Sequence, residues 1–266
     1  ERMTTGQNRA PGGARRDAPA GGDVDRYARH LALAQIGEAG QSRIRSGRAL
    51  VVGPGGLGCP AALYLAASGV GELWLNDFDR VDRTNLQRQI LYREADVGLR
   101  KTAAAKAALA ALNGDVRLHE IDRRLDPEAL REAVRRVDVV LDGSDNFATR
   151  FAVNEACRRE RTALVSGAAI RLEGQLAVFR HDRDSGPCYR CLYGEGDETL
   201  ENCAGNGVLA PLVGTIGSLM AVEALKVLVG RGDASLGRLL VLDALTLEWR
   251  TLSLPRDPAC PVCSTR

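Results

Sequence analysis

The chain has 266 residues, of which 45% are apolar, and this is enough to close one sizeable core without disulfides. Its 36 basic and 34 acidic residues leave a net charge of +2, and the arginine-rich first 22 residues carry all of that excess. The rest of the chain is neutral, which excludes the broad basic face of a nucleic-acid-binding protein.

No run of apolar residues approaches the ~18 needed to span a membrane, and the N-terminus has no basic-then-apolar signal pattern. We therefore expect a cytoplasmic protein that contacts neither membrane nor nucleic acid. Residues 1–22 are mostly small or charged and are expected to form a disordered tail. Residues 23–266 are expected to form a single domain.

From Asp23, a helix-capping residue, short helical segments lead into a regular alternation of apolar strands and helices. The predicted strands are 48–53, 71–77, 116–121, 137–145 and 162–167, and the helices between them are 60–69, 100–114, 126–136 and 146–160. This alternation predicts a Rossmann-like, doubly wound α/β fold, in which a mostly parallel sheet carries helices on both faces.

The pattern changes beyond residue 167. Residues 169–180 predict antiparallel pairing or a bent ribbon, residues 237–254 predict two strands, and residues 210–230 predict an apolar helix. The fold expected from these segments is a parallel sheet extended by antiparallel C-terminal strands. The polar stretch 181–210 holds three cysteines and is expected to be a mobile crossover loop, since loops of this length in compact domains are usually functional or mobile.

The segment 53–58 reads GPGGLG, follows the first strand and opens a helix. Its glycines are Gly53, Gly55, Gly56 and Gly58. Such a loop lets the backbone approach a phosphate that the helix N–H groups face, and Asp77, at the end of the next strand, is placed to bind a ribose hydroxyl. The alternative is a tight turn without ligand.

Two further charged segments follow strand ends. Arg88, in the segment NLQRQ that begins at Asn85, is a candidate phosphate clamp, and Lys101 opens a helix, where a cation predicts an anion nearby. The segment DGSDN (142–146) ends a parallel strand, where a carboxylate beside a triphosphate would hold Mg²⁺. Capping of the next helix by Asp145 or Ser144 is the alternative.

The seven cysteines divide into two sets. Two C-x-x-C pairs predict a tetrahedral, structural zinc site, with redox chemistry as the alternative, and their members are Cys188, Cys191, Cys260 and Cys263. Cys59 and Cys157 lie in apolar helical segments and are expected in the core. Cys203 lies in the polar loop, where an exposed thiol could act as a nucleophile.

Taken together, these motifs resemble the MoeB/ThiF/HesA family, the bacterial relatives of ubiquitin-activating enzymes. The matching segments are RYARH (26–30), GPGGLGCPAALYLAASGVG (53–71), NDFD (76–79), NLQRQIL (85–91), the helix that Lys101 opens, DGSDN (142–146), SGAAIRLEGQ (166–175), CYRC (188–191), ENC (201–203) and CPVC (260–263). The resemblance implies a homodimer with structural zinc that uses Mg²⁺ and ATP. It would adenylate the C-terminal glycine of a small ubiquitin-like sulfur carrier ending in Gly-Gly.

The resemblance also implies roles for individual residues. Arg29 would reach into the ATP site of the partner subunit, Asp145 would bind Mg²⁺, and Cys203 would bond the carrier in ThiF-like members but not in MoeB-like ones. The other positions implied at the nucleotide site are Gly53, Gly55, Gly56, Gly58, Asp77, Asp79, Asn85, Arg88 and Lys101. Departures from the family pattern are His30 for the usual Gln and Gly143-Ser144 for the common Cys-Thr.

Segments typical of both subfamilies occur, so a MoaD-like carrier of molybdopterin synthesis and a ThiS-like carrier of thiamine synthesis stay open. An external persulfide protein is expected to supply sulfur, because no rhodanese domain follows Cys263. One alternative function is an NAD- or FAD-dependent oxidoreductase, which leaves the cysteine pairs, Arg88 and Asp145 without a role. Another is a non-catalytic module that docks a ubiquitin-like partner, against which the charged residues argue.

Overall fold

The structure, a computed structural model, describes residues 21–183, 186–194 and 207–264. Most of the expected N-terminal tail and the central part of the expected crossover loop, including Cys203, lie outside the described residues. The first helix begins at Gly21, two residues before the predicted start of the domain and before the predicted cap at Asp23.

The described elements follow the predicted order. The helices are α1 (Gly21–Leu31), α2 (Gly37–Ser46), α3 (Gly58–Ala67), α4 (Lys101–Leu112), α5 (Pro127–Arg135), α6 (Phe147–Arg159), α7 (Tyr189–Leu192) and α8 (Ala210–Leu228). The strands are β1 (Arg48–Val52), β2 (Glu72–Asn76), β3 (Arg117–Ile121), β4 (Val139–Asp142), β5 (Ala163–Ile170), β6 (Glu173–Phe179), β7 (Arg238–Asp243) and β8 (Glu248–Ser253). Short 3-10 turns occupy Arg83–Asn85, Glu94–Asp96 and Gly232–Ser235.

These strands form one sheet in the order β3-β2-β1-β4-β5-β6-β7-β8. The pairs from β3 to β5 are parallel, and those from β5 to β8 are antiparallel, as predicted. In register, Val52 at the end of β1 lies opposite both Asn76 and Asp142, the last residues of β2 and β4. The residues that follow these three strands therefore lie side by side at the carboxyl edge of the parallel strands.

The central strands are apolar on both faces because helices cover both faces. Along β1, Ala49 and Val51 join the core beneath α3, α4 and α8, whereas Leu50 and Val52 join the core beneath α5 and α6. This period of two assigns alternate side chains to opposite layers. The strand is thereby fixed in register.

Helix α8 is long and apolar enough, by length and composition, to cross a membrane, with a mean hydropathy of 1.5. The expectation that no run approaches a membrane span was wrong on this count. The helix packs against β5, β6 and α3, and Leu212, Ile216 and Met220 are buried in the core. Its apolar composition is therefore that of a core helix.

Helix α1 is attached where the strands begin. The Nδ2 group of Asn113, four residues before β3, donates to the hydroxyl oxygen of Tyr27 over 2.9 Å. A Cβ on Gly69, which precedes β2 and has a φ of +78°, would collide with the same tyrosine ring. Helix α1 thus lies at the amino edge of the sheet, opposite the glycine-rich segment.

Candidate nucleotide site and cysteine cluster

The segment 53–58, called the glycine loop below, makes a tight turn between β1 and α3. Gly53 has a φ of +76°, and its carbonyl accepts a 2.7 Å hydrogen bond from the N–H of Gly55. A Cβ on Gly58 would collide with that carbonyl. Helix α3 begins without a side-chain cap or an acidic residue in its first turn, so the positive end of its dipole faces the loop.

The segment 85–92 packs on this loop. The Tyr92 hydroxyl donates to the Pro54 carbonyl over 2.7 Å, and Gln89 is buried beside Gly55. The Oε1 atom of Gln89 has no hydrogen-bond partner among the described residues. Gln89 was quoted in the sequence motif without a role, and nothing in the sequence singles out Tyr92.

Arg88 and Asn85 are carried to the glycine loop by the same segment. Arg88 is half-buried and donates to the Thr84 carbonyl over 3.1 Å. Asn85 closes the preceding turn by accepting a 3.3 Å hydrogen bond from the N–H of Asp82. Both residues therefore lie on the segment that packs against the glycine loop through Gln89 and Tyr92.

The anion predicted beside Lys101 is provided by the chain itself. The Nζ atom of Lys101 lies 3.1 Å from Oδ2 of Asp79 and 3.8 Å from Oδ2 of Asp77. The side chains of Lys101 and Asp77 are only 7% and 9% exposed. Burial raises the pKa of Asp77 above its ordinary value, and the Lys101 charge opposes that shift only in part. Asp77 is thus a buried carboxylate held by the Lys101 ammonium group.

The loop that follows β4 touches the glycine loop, since a Cβ on Gly53 would lie 3.5 Å from the backbone of Gly143 and Ser144. The Oδ1 atom of Asp142 accepts hydrogen bonds from the N–H (3.0 Å) and hydroxyl (2.7 Å) of Ser144. Its Oδ2 atom is buried and has no hydrogen-bond partner among the described residues.

The alternative interpretation, that Asp145 or Ser144 only caps α6, is not borne out. The cap is Asn146, whose Oδ1 accepts a 2.9 Å hydrogen bond from the N–H of Thr149. The Ser144 hydroxyl is turned toward Asp142 instead, and Asp145 is exposed. The Asp145 carboxylate is thereby left open to solvent beside the glycine loop.

One predicted residue, Arg29, is not brought to this site within its own chain. Arg29 is exposed on α1, two residues beyond Tyr27, at the opposite edge of the sheet. Cys203 lies outside the described residues. The two remaining lone cysteines, Cys59 and Cys157, are fully buried, as predicted, and burial raises the pKa of both thiols.

The four paired cysteines converge. Their sulfur atoms all lie within 4.8 Å of one another, with 3.6 Å between Cys188 and Cys260 and 3.4 Å between Cys191 and Cys263. Four sulfurs about 2.3 Å from a tetrahedral zinc ion would be about 3.8 Å apart, so this donor set fits zinc. Burial raises the pKa of the Cys188 thiol and raises that of Cys263 to about 11, whereas at Cys260 the backbone N–H groups of Cys263 and Val262 outweigh burial and lower the pKa.

The sheet order and the glycine loop are those of a nucleotide-binding α/β protein. The chain belongs to the ThiF family, whose model matches residues 27–262. It is 46% identical over 242 residues to a SAMP-activating enzyme E1 of Haloferax volcanii, a match that covers 90% of this chain and 88% of that protein.

The chain is also 43% identical over 247 residues to the adenylyltransferase and sulfurtransferase MOCS3 of Drosophila virilis, covering 92% of this chain but 54% of that one. It thus spans about half the length of its MOCS3 relatives. The crystal structure of E. coli MccB with ATP shares the fold, with a TM-score of 0.75 and 24% identity over 85% of this chain and 68% of that one. The predicted family and enzyme class, a ThiF-like adenylyltransferase, are confirmed.

Proposed function

We propose that the chain uses ATP to adenylate the C-terminal glycine carboxylate of a small ubiquitin-like sulfur carrier protein that ends in Gly-Gly, with release of pyrophosphate. The observation that carries the proposal is the meeting of the glycine loop, Asp77, Lys101 and Asp145 at one edge of the sheet. Membership of the ThiF family and the names of two relatives, an E1 activating enzyme and an adenylyltransferase, support the same reaction.

In this reaction a carboxylate oxygen of the carrier attacks the α-phosphorus of ATP. The bond from that phosphorus to the bridging oxygen breaks, and pyrophosphate leaves with the bonding electrons. The product is an acyl-adenylate, an acylating agent for a sulfur nucleophile. Since no covalent bond to the protein is needed, the protein contributes placement and charge stabilisation.

The residues at the edge divide this work. The glycine loop and the first turn of α3 would bind phosphate oxygens, and Asp77 would accept a hydrogen bond from the ribose. Arg88 and Lys101 would contact the triphosphate, and Lys101 also holds Asp77 in place over 3.8 Å. Asp145 is the exposed carboxylate that would hold Mg²⁺, which supplies positive charge to the phosphates when bound.

Arg29 lies at the amino edge of the sheet, away from the glycine loop of its own chain, so a role for Arg29 at a nucleotide site requires a homodimer. We propose that Arg29 completes the site of the partner subunit. Cys203 is the proposed nucleophile of a later step if the chain acts as ThiF-like members do, and a persulfide protein is the proposed sulfur donor. The four-cysteine cluster has no open coordination position, so zinc there would be structural.

Carrier-dependent exchange of labelled pyrophosphate into ATP tests the proposal. Asp145→Asn is expected to lower the exchange rate at least about tenfold without loss of fold, since the side chain is exposed and does not cap α6. Asp138→Asn is the matched control, because Asp138 pairs with Arg48 over 2.7 Å at the opposite end of β4. Exchange by Asp145→Asn at the level of this control would contradict the assignment.

The alternatives predict other outcomes. A non-catalytic docking module would bind the carrier but show no exchange in the wild-type chain. A nicotinamide- or flavin-dependent oxidoreductase would copurify with, or bind, a cofactor that absorbs above 300 nm, and membership of the ThiF family argues against it.

A further inference from the structure

Arg150 is a buried cation that no part of the proposed reaction uses. It lies in the first turns of α6 with 7% of its surface exposed. Its Nη2 atom donates to the carbonyl of Ser144 and, over 2.8 Å, to the carbonyl of Gly167. Its Nη1 atom donates to the hydroxyl of Ser166 over 3.2 Å. One guanidinium thus joins the loop after β4 to strand β5.

The point where Arg150 attaches to the loop lies next to Asp145, the residue proposed to hold Mg²⁺. Ser144 immediately precedes Asp145, and its carbonyl belongs to the peptide bond that sets the direction in which Asp145 leaves the loop. Asp145 itself is exposed and is not the cap of α6, so the attachment of Ser144 to Arg150 restrains it from one side and Asn146 from the other.

The charge of Arg150 is kept in spite of burial. Burial lowers the pKa of the guanidinium, but the Asp142 carboxylate and the Tyr189 hydroxyl outweigh it, so the pKa is raised. The guanidinium also lies 5.9 Å from the centre of the Tyr189 ring. A planar group with several fixed donors can serve two carbonyls and a hydroxyl at once, which a single ammonium group does less well.

We propose that Arg150 is a positioning residue that fixes the loop 143–146 to β5 and so holds Asp145 where it binds the metal ion of the nucleotide complex. This inference rests on the proposed function for its consequence, but the anchoring itself does not. An apolar residue in this place would fill the space and leave the Ser144 and Gly167 carbonyls without their donor. The loop would then open more often, although the sheet beneath it stays intact.

Hydrogen exchange of the loop tests the anchoring without any ligand. The N–H of Gly143 donates to the Val52 carbonyl and that of Ser144 to Asp142, both over 3.0 Å, so both amides are protected. In Arg150→Met these two amides are expected to exchange about tenfold faster than in the wild type, the effect of losing a charged donor. In Arg150→Lys the increase should be smaller.

Val153→Ala is the matched control. Val153 is fully buried on the same helix and belongs to the apolar core, so its truncation loosens α6 without removing a donor from Ser144. It should raise exchange along the helix with no selective effect on the loop. The quantity to compare is the ratio of the exchange rate of the loop amides to that of the α6 amides. If this ratio is no higher in Arg150→Met than in Val153→Ala, the anchoring role is overturned.

The effect of the anchoring on Asp145 is measured by the Mg²⁺ dependence of pyrophosphate exchange. In Arg150→Met the Mg²⁺ concentration for half-maximal pyrophosphate exchange should rise about tenfold, while the dissociation constant of ATP measured without Mg²⁺ stays within about twofold. An equal fall in Mg²⁺-free ATP affinity would indicate general damage and overturn the proposal. If the wild-type chain shows no exchange at all, the proposed function fails, and the hydrogen-exchange result still decides the anchoring.

Discussion

Replacement of Lys101 by Met tests the buried charge pair at the carboxyl edge. Lys101 and Asp77 are both more than nine-tenths buried, and 3.8 Å separates their charged atoms. At an effective dielectric constant of 20 this separation corresponds to about 4 kcal/mol of attraction. Removing one partner of a buried pair costs about 3–5 kcal/mol, and since the second partner, Asp79, is half-exposed, we expect a loss of about 3 kcal/mol in the free energy of unfolding near pH 8.

This loss should depend on pH with a definite sign. Because the pKa of Asp77 is raised, the folded protein binds the proton more tightly than the unfolded chain does. The corresponding stability is fully present below about pH 4, the ordinary aspartate range, and is lost as pH rises through the raised pKa. Removing Lys101 raises this pKa further, so the difference between wild type and variant should be largest at pH 8 and shrink toward pH 5.

Urea unfolding at several pH values measures both effects, and Lys106→Met provides the control on the same helix. Lys106 pairs with Glu120 over 2.9 Å, but their side chains are 47% and 31% exposed, so its loss should change the unfolding free energy by no more than about 1 kcal/mol. If Lys101→Met costs no more than Lys106→Met, or if its cost does not shrink at low pH, the buried-pair reasoning is refuted.

Three further outcomes are expected. Elemental analysis should find one zinc ion per chain. Cys188→Ser should lose the zinc, whereas Cys157→Ser, which lies outside the cluster, should keep it. A metal-free native protein that resists protease as well as the zinc-bound protein does would contradict the site. Co-expression of Arg29→Ala with Asp145→Asn subunits should recover part of the pyrophosphate exchange, because one site of each mixed dimer is then complete. Isolated mixed dimers without activity would indicate that both residues serve the site of the same chain. Cys203→Ser should leave exchange near wild type, since adenylation needs no thiol, and a loss as deep as that of Asp145→Asn would refute a role confined to the later step.

Local sequence signals were sufficient to predict the helices and strands and to place most of the segments at the carboxyl edge of the parallel strands. Glycines, strand ends and apolar runs placed the elements within about two residues in most cases, because each signal acts through its own neighbours in the chain. The strand predicted over 137–145 ends at Asp142. There the Asp142 carboxylate accepts a hydrogen bond from the N–H of Ser144, and the chain turns out of the strand direction. The acidic residues of the sequence do not by themselves predict this turn.

Contacts between distant segments could not be predicted in the same way. Ser144, Asp145 and Asn146 are all competent caps, and only the position of the Thr149 N–H selects Asn146. The position of Lys101 in its helix predicted an anion but not that Asp79, 22 residues earlier, would provide it. Arg150 gave no signal, because an arginine on a helix is usually solvated and only the fold brings strand β5 beneath it.

A metal bound by the four-cysteine cluster would close residues 188–263 into a ring. The paired sulfurs belong to residues 72 positions apart, so a metal held by all four would tie the start of α7 to the last described residues. Closing a loop of this length removes about 4 kcal/mol of chain entropy from the unfolded state. Strands β7 and β8 and helix α8 all lie inside the ring. The last two strands could therefore separate from β6 without releasing an end of the chain, and they would return to the sheet from a short distance.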